Sequence, residues 1–173
     1  MDERTDLREE RPQLGAATRR ELAVLALWGD LTLAADLVRV RLARALGAGC
    51  DLAPDDVELL MLLAAAPEHR LRMIDVSEAL RLSKSAVTRL IDRLQDRDLV
   101  LRAACPSDRR VVYAGLTDRG ASALDAAAPI FVSGLMEHLG DRLDEAQIER
   151  LRRDLYAIVG CDEREGSGVR GGS

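Results

Sequence analysis

Residues 83–97, S-K-S-A-V-T-R-L-I-D-R-L-Q-D-R, place Val87, Leu90, Ile91 and Leu94 at i, i+3, i+4 and i+7. That spacing lays four apolar side chains along one stripe of an α-helix and fits no strand, whose faces alternate at every residue. Ser85, Arg89, Arg93 and Arg97 recur every fourth position, so the opposite face is polar and cationic. Ser83 is a good N-cap for this helix, with Leu82 and Val87 at the two positions of a hydrophobic staple. A shorter helix is predicted just upstream, over residues 74–80, with Val76, Ala79 and Leu80 inward and a brief turn at Arg81-Leu82.

A short helix, a tight turn and a capped helix that opens on hydroxyls and cations follow helix-turn-helix grammar. Ser83, Ser85 and Thr88 can hydrogen-bond phosphates or bases, and the free N–H groups of a helix start add positive potential. Two strands are predicted next, Leu99–Cys105 and Arg110–Leu116, with Pro-Ser-Asp-Arg between them as turn chemistry. A hairpin directly after a recognition helix is a wing. Its tip sets Asp108 two residues from Arg110, on one side of an extended chain, so the carboxylate can orient that guanidinium for a narrow, electronegative minor groove. Arg109 would then face a backbone phosphate. The bland alternative is a solvated turn beside a solvated helix face, its arginines in weak local pairs with Asp92 and Asp96.

Charge distribution favours the first reading. The chain carries a formal net charge of −5, yet residues 81–110 hold eight basic and four acidic side chains, a local balance of +4 that leaves −9 on the remainder. One basic segment sits inside an acidic body.

The rest of the chain reads as helices, in keeping with 47% apolar and only 2% aromatic residues. A long first helix is expected from Arg19 to Leu46, closed by Gly47-Ala-Gly49. Trp28, Leu31, Ala35, Val38, Leu42 and Ala45 alternate spacings of three and four, the seam of one helix packed along another. Leu22, Leu25, Gly29, Leu33, Leu37 and Val40 form a second apolar face, which calls for an interface as well as a core. Pro54 opens a helix to about Ala66, with Asp55 and Asp56 complementing its dipole. Thr117 caps a helix to about Leu139, with Leu124, Ala128, Phe131 and Leu135 inward. Asp144 and Gln147 match a capping box ahead of a last helix striped by Ile148, Leu151, Leu155 and Ile158.

The expected fold is mainly α with a small β wing: a winged helix-turn-helix DNA-binding lobe plus a helical dimerisation region. The expected organisation is a mobile extension (1–18), a dimerisation helix (19–50), the winged lobe (51–117), dimerisation helices (118–160) and a disordered tail (161–173).

Two segments resemble the MarR family of transcriptional regulators. L-S-K-S-A-V-T-R-L-I-D-R-L-Q-D-R-D-L-V-L-R (82–102) is similar to the family's recognition helix and its lead into the wing. C-P-S-D-R-R-V-V-Y-A-G-L-T-D-R-G (105–120) is similar to its wing tip, second strand and the Leu-Thr-x-x-Gly that opens the next helix. The helix order matches over about residues 19–160. The resemblance implies a homodimer on a palindromic double-stranded operator, with half-sites about 10 base pairs apart. It also implies a repressor released by a small phenolic or other lipophilic effector, or by oxidation. Carried over, Ser83, Lys84, Ser85, Thr88 and Arg89 face DNA from the helix, and Arg109 and Arg110 from the wing. Arg93 and Arg97 lie farther along and touch phosphates or form internal pairs. Arg81 and Asp98 stand where the family often has glycine, and local adjustment is expected at Arg81.

Other classes fare less well. A redox regulator would use Cys105, near Arg102 at the base of the wing, or Cys50 at the end of the first helix, although a free cysteine is more often a small packed hydrophobe. Trp28 can stack on an aromatic effector or simply fill a dimer seam. His69 and His138 have no metal-ligand spacing around them, and no CxxC indicates zinc, so no cofactor is expected. An enzyme is not expected without a glycine-rich phosphate loop, nucleophile elbow or His-x-x-x-His. A winged helix that binds protein instead of DNA would have lost its basic face and wing arginines, and both are present. No apolar run approaches membrane-helix length and the first residues do not resemble a signal peptide, so a cytoplasmic location away from membranes is expected.

Overall fold

The computed structural model describes residues 17–104 and 111–159. Six helices and three short strands run in the order α1 (Arg19–Gly49), α2 (Pro54–Ala65), β1 (Arg70–Arg72), α3 (Met73–Leu80), α4 (Lys84–Gln95), β2 (Val100–Ala104), β3 (Val112–Leu116), α5 (Asp118–His138) and α6 (Glu145–Val159), with 3-10 turns at Pro67–His69 and Gly140–Arg142. The mainly α fold with a small antiparallel wing is as expected. The chain divides into two compact units within α1, one ending at Leu37 and the other beginning at Val38.

In the first unit, Thr18 and Glu21 exchange hydrogen bonds at the start of α1: Glu21 N–H donates to the Thr18 hydroxyl, and the Glu21 carboxylate accepts from Thr18 N–H at 2.7 Å. That Thr18 N–H, and then the Thr18 hydroxyl donating to the same carboxylate at 2.9 Å, hold the Glu21 carboxyl below its ordinary pKa. Leu22, Leu25, Trp28, Leu33 and Leu37 are all exposed, Trp28 at 67% and Leu33 at 68%.

The second unit is built on one apolar core. Leu42 and Leu46 of α1, Val57, Leu60 and Leu63 of α2, Val76 of α3 and the stripe Val87, Leu90, Ile91, Leu94 of α4 are buried together with Leu99, Val100, Ala127 and Phe131. Of the seam expected along α1, Leu42 is buried and Val38 packs on the core, while Leu46, outside both expected stripes, is fully buried. On α3, Val76 is buried and Leu80 packs against the core as expected, while Ala79 is exposed. On α5 the buried alanine is Ala127, with Ala128 half-buried beside it. The two glycines expected to stop α1 lie inside it; the chain turns instead at Asp51, whose φ is 54°. Gly49 is there for contact, since a Cβ would press on the Ile130 side chain.

Strand β1 has no sequence signature, being three residues long. It pairs antiparallel with β3 (Arg70 opposite Gly115, Arg72 opposite Tyr113), and β3 pairs on its other side with β2 (Val100 opposite Leu116, Ala104 opposite Val112). The sheet order is therefore β1-β3-β2, with the hairpin predicted from the sequence as two of its three strands.

The start of α5 is locked to the end of α4. The Thr117 hydroxyl accepts from Gly120 N–H at 2.9 Å, and its one proton is shared between the carbonyls of Asp98 (2.6 Å) and Leu99 (3.1 Å). A Cβ on Gly120 would land on the Leu99 carbonyl oxygen, which is backbone and cannot swing aside. Overpacking a tight interior costs about 1–3 kcal/mol, more where the neighbour is rigid. Gly120→Ala is expected at or above the top of that range in urea denaturation. Gly47→Ala meets open space within α1 and is expected to raise stability by about 0.5–1 kcal/mol.

Candidate nucleic-acid interface

The turn between α3 and α4 is set by one left-handed residue, Arg81, at φ 52° and ψ 35°. A conformation that favours glycine is thus adopted by an arginine, and Asp98 after α4 does the same at φ 57°. Two bonds close the turn: Leu82 N–H donates to the Ser77 carbonyl at 3.1 Å, and the Ser77 hydroxyl donates to the Leu82 carbonyl at 2.7 Å. Ser83 caps α4 as predicted, its hydroxyl oxygen accepting from Ala86 N–H at 3.2 Å. Part of its bonding capacity is therefore already committed, and Ser85 Oγ lies 3.1 Å away. Thr88 donates back to the Lys84 carbonyl at 2.9 Å.

Lys84, Ser85, Thr88 and Arg89 are exposed together on the outer face of α4. The cations farther along are held by the protein. Arg93 reaches Asp56 at the start of α2. Arg97 donates to the Asp51 carbonyl at 2.7 Å. Arg102, on β2, pairs with the Asp92 carboxylate and donates to the Thr88 carbonyl at 3.1 Å, bracketing the wing strand to the helix. Lys84 and Arg89 have no ion pair or side-chain hydrogen bond among the described residues. The choice left open for Arg93 and Arg97 falls on internal pairs. Sequence reasoning saw Asp56 only as a dipole partner and Arg102 only as a neighbour of Cys105; their partners lie 37 and about 10 residues away, where no local pattern reaches.

A cavity of about 610 Å³ lies between the start of α3, the first turns of α4 and the wing root. Met73, Ile74, Val87, Val111 and Val112 give it apolar walls, and Arg72, Lys84 and Arg102 its charge. The wing-tip residues Cys105, Asp108, Arg109 and Arg110 lie outside the described residues. Trp28 is on the exposed first unit and does not line this cavity. Cys50 is half-buried, its thiol donating to the Leu46 carbonyl at 3.3 Å. His138 Nδ1 lies 3.1 Å from an Arg41 guanidinium nitrogen, and His69 Nδ1 3.0 Å from the Ala64 carbonyl.

The sequence model of the MarR family matches residues 52–112, from the start of α2 to the wing. The HTH-type transcriptional regulator YhbI of Bacillus subtilis is 30% identical over 123 residues, 67% of this chain and 79% of that protein. Sco3205, a MarR family transcriptional regulator from Streptomyces coelicolor solved in complex with DNA, is 30% identical with a TM-score of 0.75, over 83% of this chain and 91% of that one. The chain belongs to the MarR family. AbsC, a MarR family regulator from the same organism, is similar at 29% identity and a TM-score of 0.75, over 83% of this chain and 95% of that one. This MarR-family chain is a transcriptional regulator and not an enzyme. No described helix is long and apolar enough to cross a membrane.

Because Ser83 is a cap, it is a stability residue whatever else it touches. Ser83→Ala is expected to lower the unfolding free energy by about 1 kcal/mol. Ser85→Ala, on the exposed face, is expected to stay within about 0.5 kcal/mol of the parent in the same denaturant titration.

Proposed function

We propose that this MarR-family regulator is a homodimeric repressor that binds a palindromic operator and is released by a small aromatic or lipophilic effector. The observation that carries the DNA reading is the exposed group Lys84, Ser85, Thr88 and Arg89 on a capped helix whose remaining cations are internally paired. Those four side chains enter the major groove, and Ser83 flanks the backbone. Arg110, oriented by Asp108, enters the minor groove beside them while Arg109 meets a phosphate.

The dimer reading rests on unpartnered apolar surface. Leu22, Leu25, Trp28, Leu33 and Leu37 of α1 and Leu151, Tyr156 and Ile158 of α6 are exposed, the last at 66%. A second copy would cover them, which assigns residues 19–50 and 118–160 to dimerisation and 51–117 to DNA binding. Trp28 is the most exposed aromatic side chain in that region and is suited to stack on an effector. The protein acts in the cytoplasm, where its DNA is.

Binding to the DNA upstream of the protein's own gene, followed by fluorescence anisotropy across a salt series, tests the reading. Sequence-selective binding in the nanomolar range is expected, with log K falling linearly in log salt. Arg110→Ala and Arg89→Ala are both expected to weaken it; loss of a phosphate contact makes the line shallower by about 0.9, and loss of a base contact relaxes selectivity. Weak binding to any duplex, indifferent to both substitutions, would overturn the proposal. In sedimentation, twice the chain mass is expected, and Ile158→Glu should shift the population to single chains that bind the operator poorly.

A further inference from the structure

Asp56 is the charged side chain that the core buries, at 2% exposed among the described residues. One carboxylate oxygen accepts Ala53 N–H at 2.8 Å; the other takes the Arg93 guanidinium at 2.5 Å. The neighbouring acids of α2, Asp55 and Glu58, are engaged by Arg39 of α1, so the two cations divide the carboxylates between them. Arg93 itself is half exposed. It lies four residues beyond Arg89 on the same face of α4, roughly 6 Å along the helix axis. A cation at the edge of a DNA-reading surface is held back by a carboxylate from another helix.

We propose that Asp56 is a specificity-determining positioning residue: by holding Arg93 against the start of α2, it keeps a recognition-helix cation away from DNA phosphates. This rests on the DNA-binding reading above. A phosphate contact strengthens binding to every sequence alike, through counterion release, and carries no information about bases. A free Arg93 would therefore strengthen binding to wrong sites, where few other contacts exist, at least as much as to the operator. The pair persists because a buried carboxylate stripped of its cation is strongly disfavoured.

Asp56→Asn keeps an acceptor for Ala53 N–H and removes the charge that holds Arg93. It would be compared with the parent, Arg93→Gln and the double variant, each first checked by thermal melting. The probes are the upstream duplex and a scrambled duplex of equal length, across a salt series. Asp56→Asn is expected to bind the scrambled duplex several-fold more tightly at low salt, with a slope steeper by about 0.9 per lobe and a reduced preference for the upstream DNA. Arg93→Gln and the double variant are expected to keep the parent slope. An unchanged slope and preference in Asp56→Asn would overturn the proposal, leaving Asp56 a stability residue. A shallower slope in Arg93→Gln would overturn it too, by showing that Arg93 already meets phosphate; that arm decides if Asp56→Asn does not fold. Equal, weak binding of both duplexes by the parent sinks the operator reading instead, while the slope of Asp56→Asn on the scrambled duplex still reports on the clamp.

Discussion

The contact of Gly120 against the Leu99 carbonyl, with the Thr117 hydroxyl bonded across it, joins three parts of the molecule at one point. Leu99 ends the left-handed turn after α4 and begins the wing; Thr117 ends the wing and begins α5. Only a residue without a Cβ lets α5 start so close to the strand, and only a side chain that both accepts and donates can cap α5 while bonding back to a carbonyl at the end of the turn. The direction of the recognition helix, the root of the wing and the first turn of α5 are therefore not independently adjustable. Arg102, bonded to both Asp92 and Thr88, repeats the restraint three residues further along β2.

Charge on α4 has to be placed as well as counted. Eight basic side chains between Arg81 and Arg110 suggest a surface that binds any polyanion. Arg93, Arg97 and Arg102 are committed to Asp56, to the Asp51 carbonyl and to Asp92, which leaves Lys84 and Arg89 as the cations of the helix face without a partner among the described residues. Arg93 and Arg97, which look like DNA contacts in a helical wheel, instead tie the helix to the start of α2 and to the turn before it. A surface with few free cations and several hydroxyls depends more on base geometry than on bulk attraction, and that is what sequence selectivity requires.

Much of this was legible in the sequence, and the boundary is physical. Patterns within one turn of helix came through: the stripe Val87, Leu90, Ile91, Leu94, the caps at Ser83 and Thr117, and the reciprocal Asp144–Gln147 box, whose two hydrogen bonds measure 2.9 and 2.8 Å. What failed was non-local or too short to have a period. Strand β1 exists because β3 lies beside it, not because Arg-Leu-Arg prefers to be extended. Gly47 and Gly49 look like a helix stop until Ile130, from α5, shows what Gly49 makes room for. On the site face, which residues are exposed could be read from periodicity; which arginines are already spoken for could not, because their partners sit on other elements.

The coupling expected of a regulator follows from the same junction. Helix α5 runs 21 residues, about 30 Å, from the junction at Thr117 and Gly120 away from the wing. Pro129 within it removes one intrahelical hydrogen bond and is the point where the rod bends most cheaply. Because the near end is tied to the root of the wing at Asp98 and Leu99, a tilt of α5 by a few degrees that is not taken up at Pro129 would carry the winged lobe with it, by of order a few ångströms over such a lever. In the proposed dimer, two lobes on one palindrome would tolerate little of that, because both helices would have to meet their half-sites at once. The proposed effector would then need no contact with DNA-reading side chains; it would need only to bind the displaced arrangement more tightly, and would weaken operator binding by that difference in affinity and no more.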